Sequence, residues 1–154
     1  MATLTLRLDK GSALTYQELD DNLSNINNEV EMLLESQANF MFDGSGSALT
    51  TSMAVDLVVP FDATITSWSI LGDVSGSIEF DITKTTYASF PTTSSIVASA
   101  PPTMTTAQKA TSSTLTGWTT TVNAGDILQV TISSVSTLTR ASLFLGLLRE
   151  YVAP

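Results

Sequence analysis

The chain contains no cysteine and no histidine. Without cysteine there is no disulfide framework and no thiolate metal site. Without histidine the commonest general base and the commonest metal ligand are missing. These absences exclude most hydrolases, zinc enzymes and Ser-His-Asp arrangements, and the sequence predicts a protein with no metal, no cofactor and no catalysis. Positive charge is scarce as well: six basic side chains face fifteen acidic ones, a formal charge of −9. Residues 1–40 alone carry two basic against seven acidic groups. An acidic surface repels nucleic acid and anionic lipid, so neither is expected as a direct partner. Long hydrophobic runs are also lacking. The longest, Leu143 to Leu148, is far too short to span a bilayer and reads as a buried strand. The first ten residues have no apolar core of the kind a signal peptide needs. The expectation is a soluble chain that is not exported by a cleavable signal.

What is present has two characters. At 154 residues the chain can form one ordinary domain plus an appendage. Leu4-Thr5-Leu6-Arg7-Leu8 alternates apolar and polar residues, which predicts a short half-buried strand, and Asp9-Lys10-Gly11-Ser12 predicts the turn that ends it. Thr15 and Glu18 have capping-box spacing, where each side chain can satisfy an orphan backbone donor at a helix start. Apolar residues then recur at Tyr16, Leu19, Leu23, Ile26, Val30 and Leu33, in alternating steps of three and four that define a heptad seam. With Tyr16, Leu23 and Val30 at a and Leu19, Ile26 and Leu33 at d, the Leu-at-a, Ile-at-d pairing favours trimers over dimers. The same pattern also suits an amphipathic helix lying on its own β-domain. The polar faces hold Asn22, Asn25, Asn27 and Asn28, which are mediocre helix formers, so a helix of this length wants partners.

Asp43-Gly44-Ser45-Gly46-Ser47 reads as a flexible break. It divides the chain into an attachment and oligomerisation segment (1–40), a linker (41–48) and a β-domain (49–154). Strands are predicted at 53–59 before Pro60, at 64–71 before Gly72-Asp73, at 77–83, at 127–133 and at 138–148. Turn signals at short intervals, with no helical period after residue 50, point to an antiparallel β-sandwich or jelly roll. Between Thr85 and Thr121, 19 of 37 residues are Ser or Thr; with Ile96, Val97, Leu115 and Trp118 interspersed, long ordered loops and short strands are expected.

No constellation in the sequence commits to chemistry. Glu79 and Asp81 lie two apart on one strand face, the relation that paired glycosidase carboxylates can have, yet a solvated edge is the simpler reading. Asp43-x-Ser45-x-Ser47 resembles the start of a calcium loop but lacks its closing Glu. Gly72 to Gly76 suits a hairpin loop better than a phosphate cradle, because no helix follows. Trp68, inside an apolar strand, is expected in the core, while Trp118 and Tyr87 are candidates for stacking on a glycan. Asn123-Ala124-Gly125-Asp126 predicts a turn feeding a strand.

Lys10-Gly11-Ser12, Leu14-Thr15 and Glu18-Leu19-Asp20-x-Asn22-Leu23, with Leu4 to Arg7 before them, resemble the N-terminal segment of tailed-bacteriophage fibre and virion surface proteins. In that family a K-G-S-x-L-T-x-x-E-L-D-x-N pattern opens the chain. The stretches Phe42-Asp43-Gly44 to Ile65 and Ser112 to Trp118 look like β-sandwich modules at the ends of phage structural proteins. The resemblance implies a non-enzymatic virion protein, assembled in the host cytoplasm, that attaches to other virion proteins (capsid or tail) through its N-terminal segment as a homotrimer. Leu4, Leu6, Arg7, Lys10 and Leu14 are then the attachment residues. The chain is short and has no repeated shaft, which favours a capsid decoration or short head-fibre protein. The alternative is a tail-fibre or receptor-binding tip that recognises host-surface glycans.

Overall fold

A computed structural model describes residues 4–150. It divides into two compact units, Met1–Glu35 and Ser36–Pro154.

The first unit holds a single helical turn, α1 (Arg7–Lys10), and the helix α2 (Tyr16–Leu34). The strand expected at Leu4–Leu8 does not form. Residues 4–6 have no regular structure, and the chain turns into α1 with Lys10 N donating to Leu6 O at 3.0 Å. A lone strand needs a ladder partner, and among the described residues Thr5 pairs with a side chain, the carboxamide of Asn22. The helix itself follows the expected bounds, and the capping box is complete. Glu18 N donates to Thr15 Oγ1 at 3.2 Å, and Thr15 N donates to Glu18 Oε2 at 2.7 Å.

The second unit is mainly β, as expected, and its sheet is antiparallel and curled. Its strands are β1 (Glu35–Asp43), β2 (Ala54–Val58), β3 (Ala63–Thr86), β4 (Ser94–Ser95), β5 (Thr103–Ser112), β6 (Thr121–Val122), β7 (Asp126–Ser136) and β8 (Arg140–Arg149). The main path is β1-β8-β3-β7-β2, with β4, β5 and β6 added along β3. Residues 41–48 are therefore not a linker. Ala38, Phe40 and Phe42 alternate inward along β1, so the division between units falls at residues 35/36. Asp43 to Ser47 forms a tight turn instead of a flexible break. Ser45 N donates to Asp43 Oδ1 at 2.7 Å, and Gly44 N donates to Thr139 O at 2.9 Å. Any side chain at Gly44 would strike the carbonyl of Ser47, so glycine here serves close packing rather than mobility.

The architecture hinges on β3. Two strands and a hairpin loop were expected between Thr64 and Thr83, yet β3 runs unbroken for 24 residues. Its first half pairs with β8 (Ala63↔Arg149 to Gly72↔Ala141) and its second half with β7 (Ser77↔Ser136 to Thr86↔Asp126). β5 follows the other edge across both halves, with register shifts between Leu71 and Ile78. Gly72 to Gly76 is thus a corner at which the sheet folds over. A Cβ on Gly76 would sit 2.6 Å from Ser136 O and Thr137 Oγ1, and one on Gly72 would sit 2.9 Å from Leu138 Cδ2. Asp73 fixes the corner by accepting from the hydroxyl and the backbone N–H of Thr139, while Thr137 Oγ1 donates to Ser75 O at 3.1 Å. The Thr139 hydroxyl, ahead of the backbone donors, holds the Asp73 carboxyl below its ordinary pKa.

The folded sheet encloses the core between its halves. Ile65, Trp68 and Ile70 point inward from the first half of β3, and Ile78, Phe80 and Ile82 from the second. The Phe42 ring of β1 meets the Phe80 ring at 5.2 Å between centroids, so the two halves touch at the centre. In β8 only Ala141, Leu143, Leu145 and Leu147 are buried; Phe144 is half-buried and Leu148 exposed. That run, which reads in the sequence as a buried strand, is therefore buried on one face. Asn123 to Asp126 makes the expected turn before β7, with Asp126 Oδ2 accepting from Asn123 N at 2.9 Å and paired with Lys84 at 3.4 Å. Among the described residues, no buried side-chain nitrogen or oxygen lacks a partner.

Candidate functional site

The most conspicuous surface belongs to α2. Its six heptad residues, Tyr16, Leu19, Leu23, Ile26, Val30 and Leu33, are all exposed, between 42% and 90%. Aligned at a and d positions they form one apolar stripe along five turns of helix. Their own unit buries none of them. Exposing contiguous aliphatic side chains forgoes about 1.5–3 kcal/mol for each that could be fully buried. A 19-residue helix with such a stripe is marginal in water until something covers it.

Polar contacts fix residues preceding the helix to a different face. Thr5 N donates to Asn22 Oδ1 at 2.8 Å, and Asn22 Nδ2 donates to Thr5 O at 2.9 Å. The carboxamide thus pairs with Thr5 as a neighbouring strand would. Lys10 forms an ion pair with Glu18. Hydrogen bonding to Lys10, and then to the Thr15 backbone, lowers the Glu18 pKa from 4.5 to about 2. Glu18, Asn22, Asn25 and Glu29 are the less exposed positions of this polar face. Of the residues expected to attach to a particle, Leu4 and Leu6 are exposed, Leu14 is half-buried, and Lys10 is engaged with Glu18. The side chain of Arg7 lies outside the described residues.

The glycan candidates separate. Trp118 is buried, with Nε1 donating to Ala100 O at 2.8 Å, so its ring is a core element and not a stacking platform. Its Thr-Gly setting resembles a loop, but the ring belongs to the same core cluster as Ile96 and Val97, with Leu115 packed against that cluster, which sequence spacing does not show. Trp68 is buried as expected. Tyr87 is 76% exposed on a compact turn in which Ser89 N and Phe90 N both donate to Thr86 O. Phe90, which sequence reasoning did not single out, stands exposed on the same turn.

Glu79 and Asp81 lie on a central strand rather than a solvated edge, paired on both sides at Glu79. Both are half-buried, and Asp81 accepts from Ser95 Oγ at 2.6 Å. No group of three or more acidic side chains placed to hold a metal ion occurs among the described residues. No helix among them is long and apolar enough to cross a membrane. No family model, no curated protein and no solved structure matches this chain.

Proposed function

We propose that the protein is a non-enzymatic structural component of a bacteriophage virion, a homotrimeric capsid decoration or short head-fibre protein. In this reading the N-terminal unit assembles the trimer and attaches it to other virion proteins, while the β-domain faces outward. The observation that carries the reading is the bare seam of α2, six exposed heptad residues that their own unit leaves uncovered. Three helices joined along that seam bury a and d side chains in one another's holes, as a short trimeric coiled coil does. Three weak attachment contacts then act together, and their joint persistence exceeds that of any one. The resemblance of the N-terminal segment to that of phage fibre and surface proteins is what supports attachment to a particle.

The native mass of the purified full chain tests the assembly, and three chains are expected. Sedimentation with purified virions tests attachment: the full chain should travel with them, and a chain lacking residues 1–35 should not. A shortened chain that still decorates particles overturns the proposal.

A second reading, a receptor-binding tip for host-surface glycans, draws on the exposed Tyr87 and Phe90 of the compact turn. Aromatic faces held by an ordered turn suit stacking on sugar rings. Glycan-array binding that disappears in Tyr87→Ala would favour this reading, and silence of the wild-type trimer would favour decoration.

A further inference from the structure

We propose that the turn carrying Tyr87 and Phe90 takes an uncharged saccharide, with the two rings as its platform and the neighbouring hydroxyls as its polar frame. This rests on the glycan reading of the same turn and names the class of glycan. Thr86 O accepts from Ser89 N at 3.1 Å and from Phe90 N at 3.2 Å, so 86–90 is one turn of helix. Residues three apart on such a turn are neighbours, with Cβ atoms about 5–6 Å apart. Tyr87 and Phe90 therefore stand side by side, 76% and 42% exposed. Among the described residues neither ring meets another ring. Further bonds hold the turn: Thr86 Oγ1 donates to Ser89 Oγ at 3.0 Å, and Thr92 N donates to Ser89 O at 3.0 Å. A platform that is already ordered spares a ligand the cost of arranging it.

Size argues against a protein as the occupant. A stable protein interface needs about 800 Å² from each partner, and two aromatic side chains supply about 300–500 Å² at most. What surrounds the rings is polar: Ser89, Thr92 and Ser94 are exposed, and Thr93 is half-buried. A pyranose ring has the matching build, with C–H groups on its faces and hydroxyls around its rim. Its C–H groups lie on the negative face of an aromatic ring, and its rim meets the hydroxyls of the turn. Charge then decides the class of sugar. Residues 85–108 contain no charged side chain. The cation before them, Lys84, is taken by Asp126 and by Thr121 O. Asp126, across from Thr86 in the sheet, is buried and also accepts from Asn123 N. Asp81, further back along β3, accepts from Ser95 Oγ. An acidic sugar would find no cation on the turn and a chain of net charge −9 around it. A cationic sugar would find no carboxylate on the turn. A neutral one needs neither.

The test applies the labelled full chain to an array that carries neutral and acidic saccharides at equal density. Binding is expected on neutral saccharides only, reduced about tenfold in Tyr87→Ala and in Phe90→Ala and kept in Tyr87→Phe. Tyr87 is mostly exposed, so its alanine variant should unfold in urea at the wild-type midpoint, which separates a lost contact from a lost fold. Binding confined to acidic saccharides and lost in Tyr87→Ala overturns the neutral ligand and leaves the glycan reading standing. Binding to neutral saccharides that both alanine variants retain overturns the turn as the site. Silence across the whole array overturns the inference and the glycan reading together.

Discussion

Replacing Ile26 by Asp tests the α2 seam at its centre. Ile26 is a d residue, 46% exposed in the single chain, so assembly buries about half of its side chain. That half is worth about 1 kcal/mol per copy. An aspartate there must be desolvated among apolar neighbours and two other carboxylates, at a cost of several kcal/mol per ion, taken as about 3. Over three copies the loss comes to about 12 kcal/mol, which at 1.4 kcal/mol per tenfold is about nine decades in a trimer association constant. Because that constant scales with the square of concentration, the midpoint moves by about four decades. A trimer that holds together at nanomolar concentration would then fall apart near about 10 µM. Sedimentation velocity across a dilution series measures this, with far-ultraviolet circular dichroism reporting on the helix and the sheet separately. The expected variant is a single chain with a weakened helical signal and an unchanged β signal. Ser24→Asp, one position beyond Leu23 on an exposed polar face, is the control and should keep the wild-type mass. An Ile26→Asp chain with the same mass and dissociation midpoint as the wild type would refute the reasoning, since no buried seam tolerates three carboxylates at one level.

Three further outcomes follow from the packing and the caps. Phe80→Ala removes a fully buried ring that touches Phe42 at 5.2 Å, and should lower the unfolding free energy by about 3–5 kcal/mol in a urea titration. Gly76→Ala should cost about 1–3 kcal/mol in the same titration, because the new methyl meets backbone and side-chain oxygens at 2.6 Å and the corner must open. Glu18 has a folded pKa depressed from 4.5 to about 2, so its contribution is complete above about pH 4.5 and is lost as pH falls through about 2. The helical dichroism should decline over that window, and Glu18→Ala should start lower at neutral pH and lose the part of the decline that Glu18 causes.

The sequence carried most of what depended on periodicity, apart from the alternation at Leu4–Leu8, which forms no strand. The α2 pattern gave its own limits, and Thr15 with Glu18 marked its start, because capping chemistry is local. The alternation in Ile78, Phe80 and Ile82 and in Leu128, Val130 and Ile132 marked inward faces correctly. β5 was not legible as a ten-residue strand. Its side chains are mostly exposed, with Met104 the only fully covered one, so no alternation announces it; pairing to β3 through the backbone defines it. β1 carried a readable signal in Ala38, Phe40 and Phe42, but it follows the helix without a break, and the glycines after it drew the end of the first segment at residue 40 instead of 35. Trp118 was ambiguous for the same kind of reason: its cover comes from residues that are close only after folding.

The glycine-rich stretches misled in a single way. Gly44 and Gly46 were read as flexibility and Gly72 and Gly76 as the end of a strand, yet both sites are close contacts where a side chain would strike a neighbour or a left-handed turn is needed. Composition gives the freedom of the unfolded chain, and only tertiary contacts decide whether that freedom is used for motion or for fit. The seam of α2 is the converse case. Six apolar residues at heptad spacing specify burial, and their own unit does not supply it. In the β-domain, pattern and burial agree where the alternation is clean, at Ile78, Phe80 and Ile82 of β3 and at Leu128, Val130 and Ile132 of β7, so the disagreement on α2 does not come from a weak pattern. A pattern that strong, left bare, is most economically covered by the same surface on another copy, since one sequence then provides both faces of the contact.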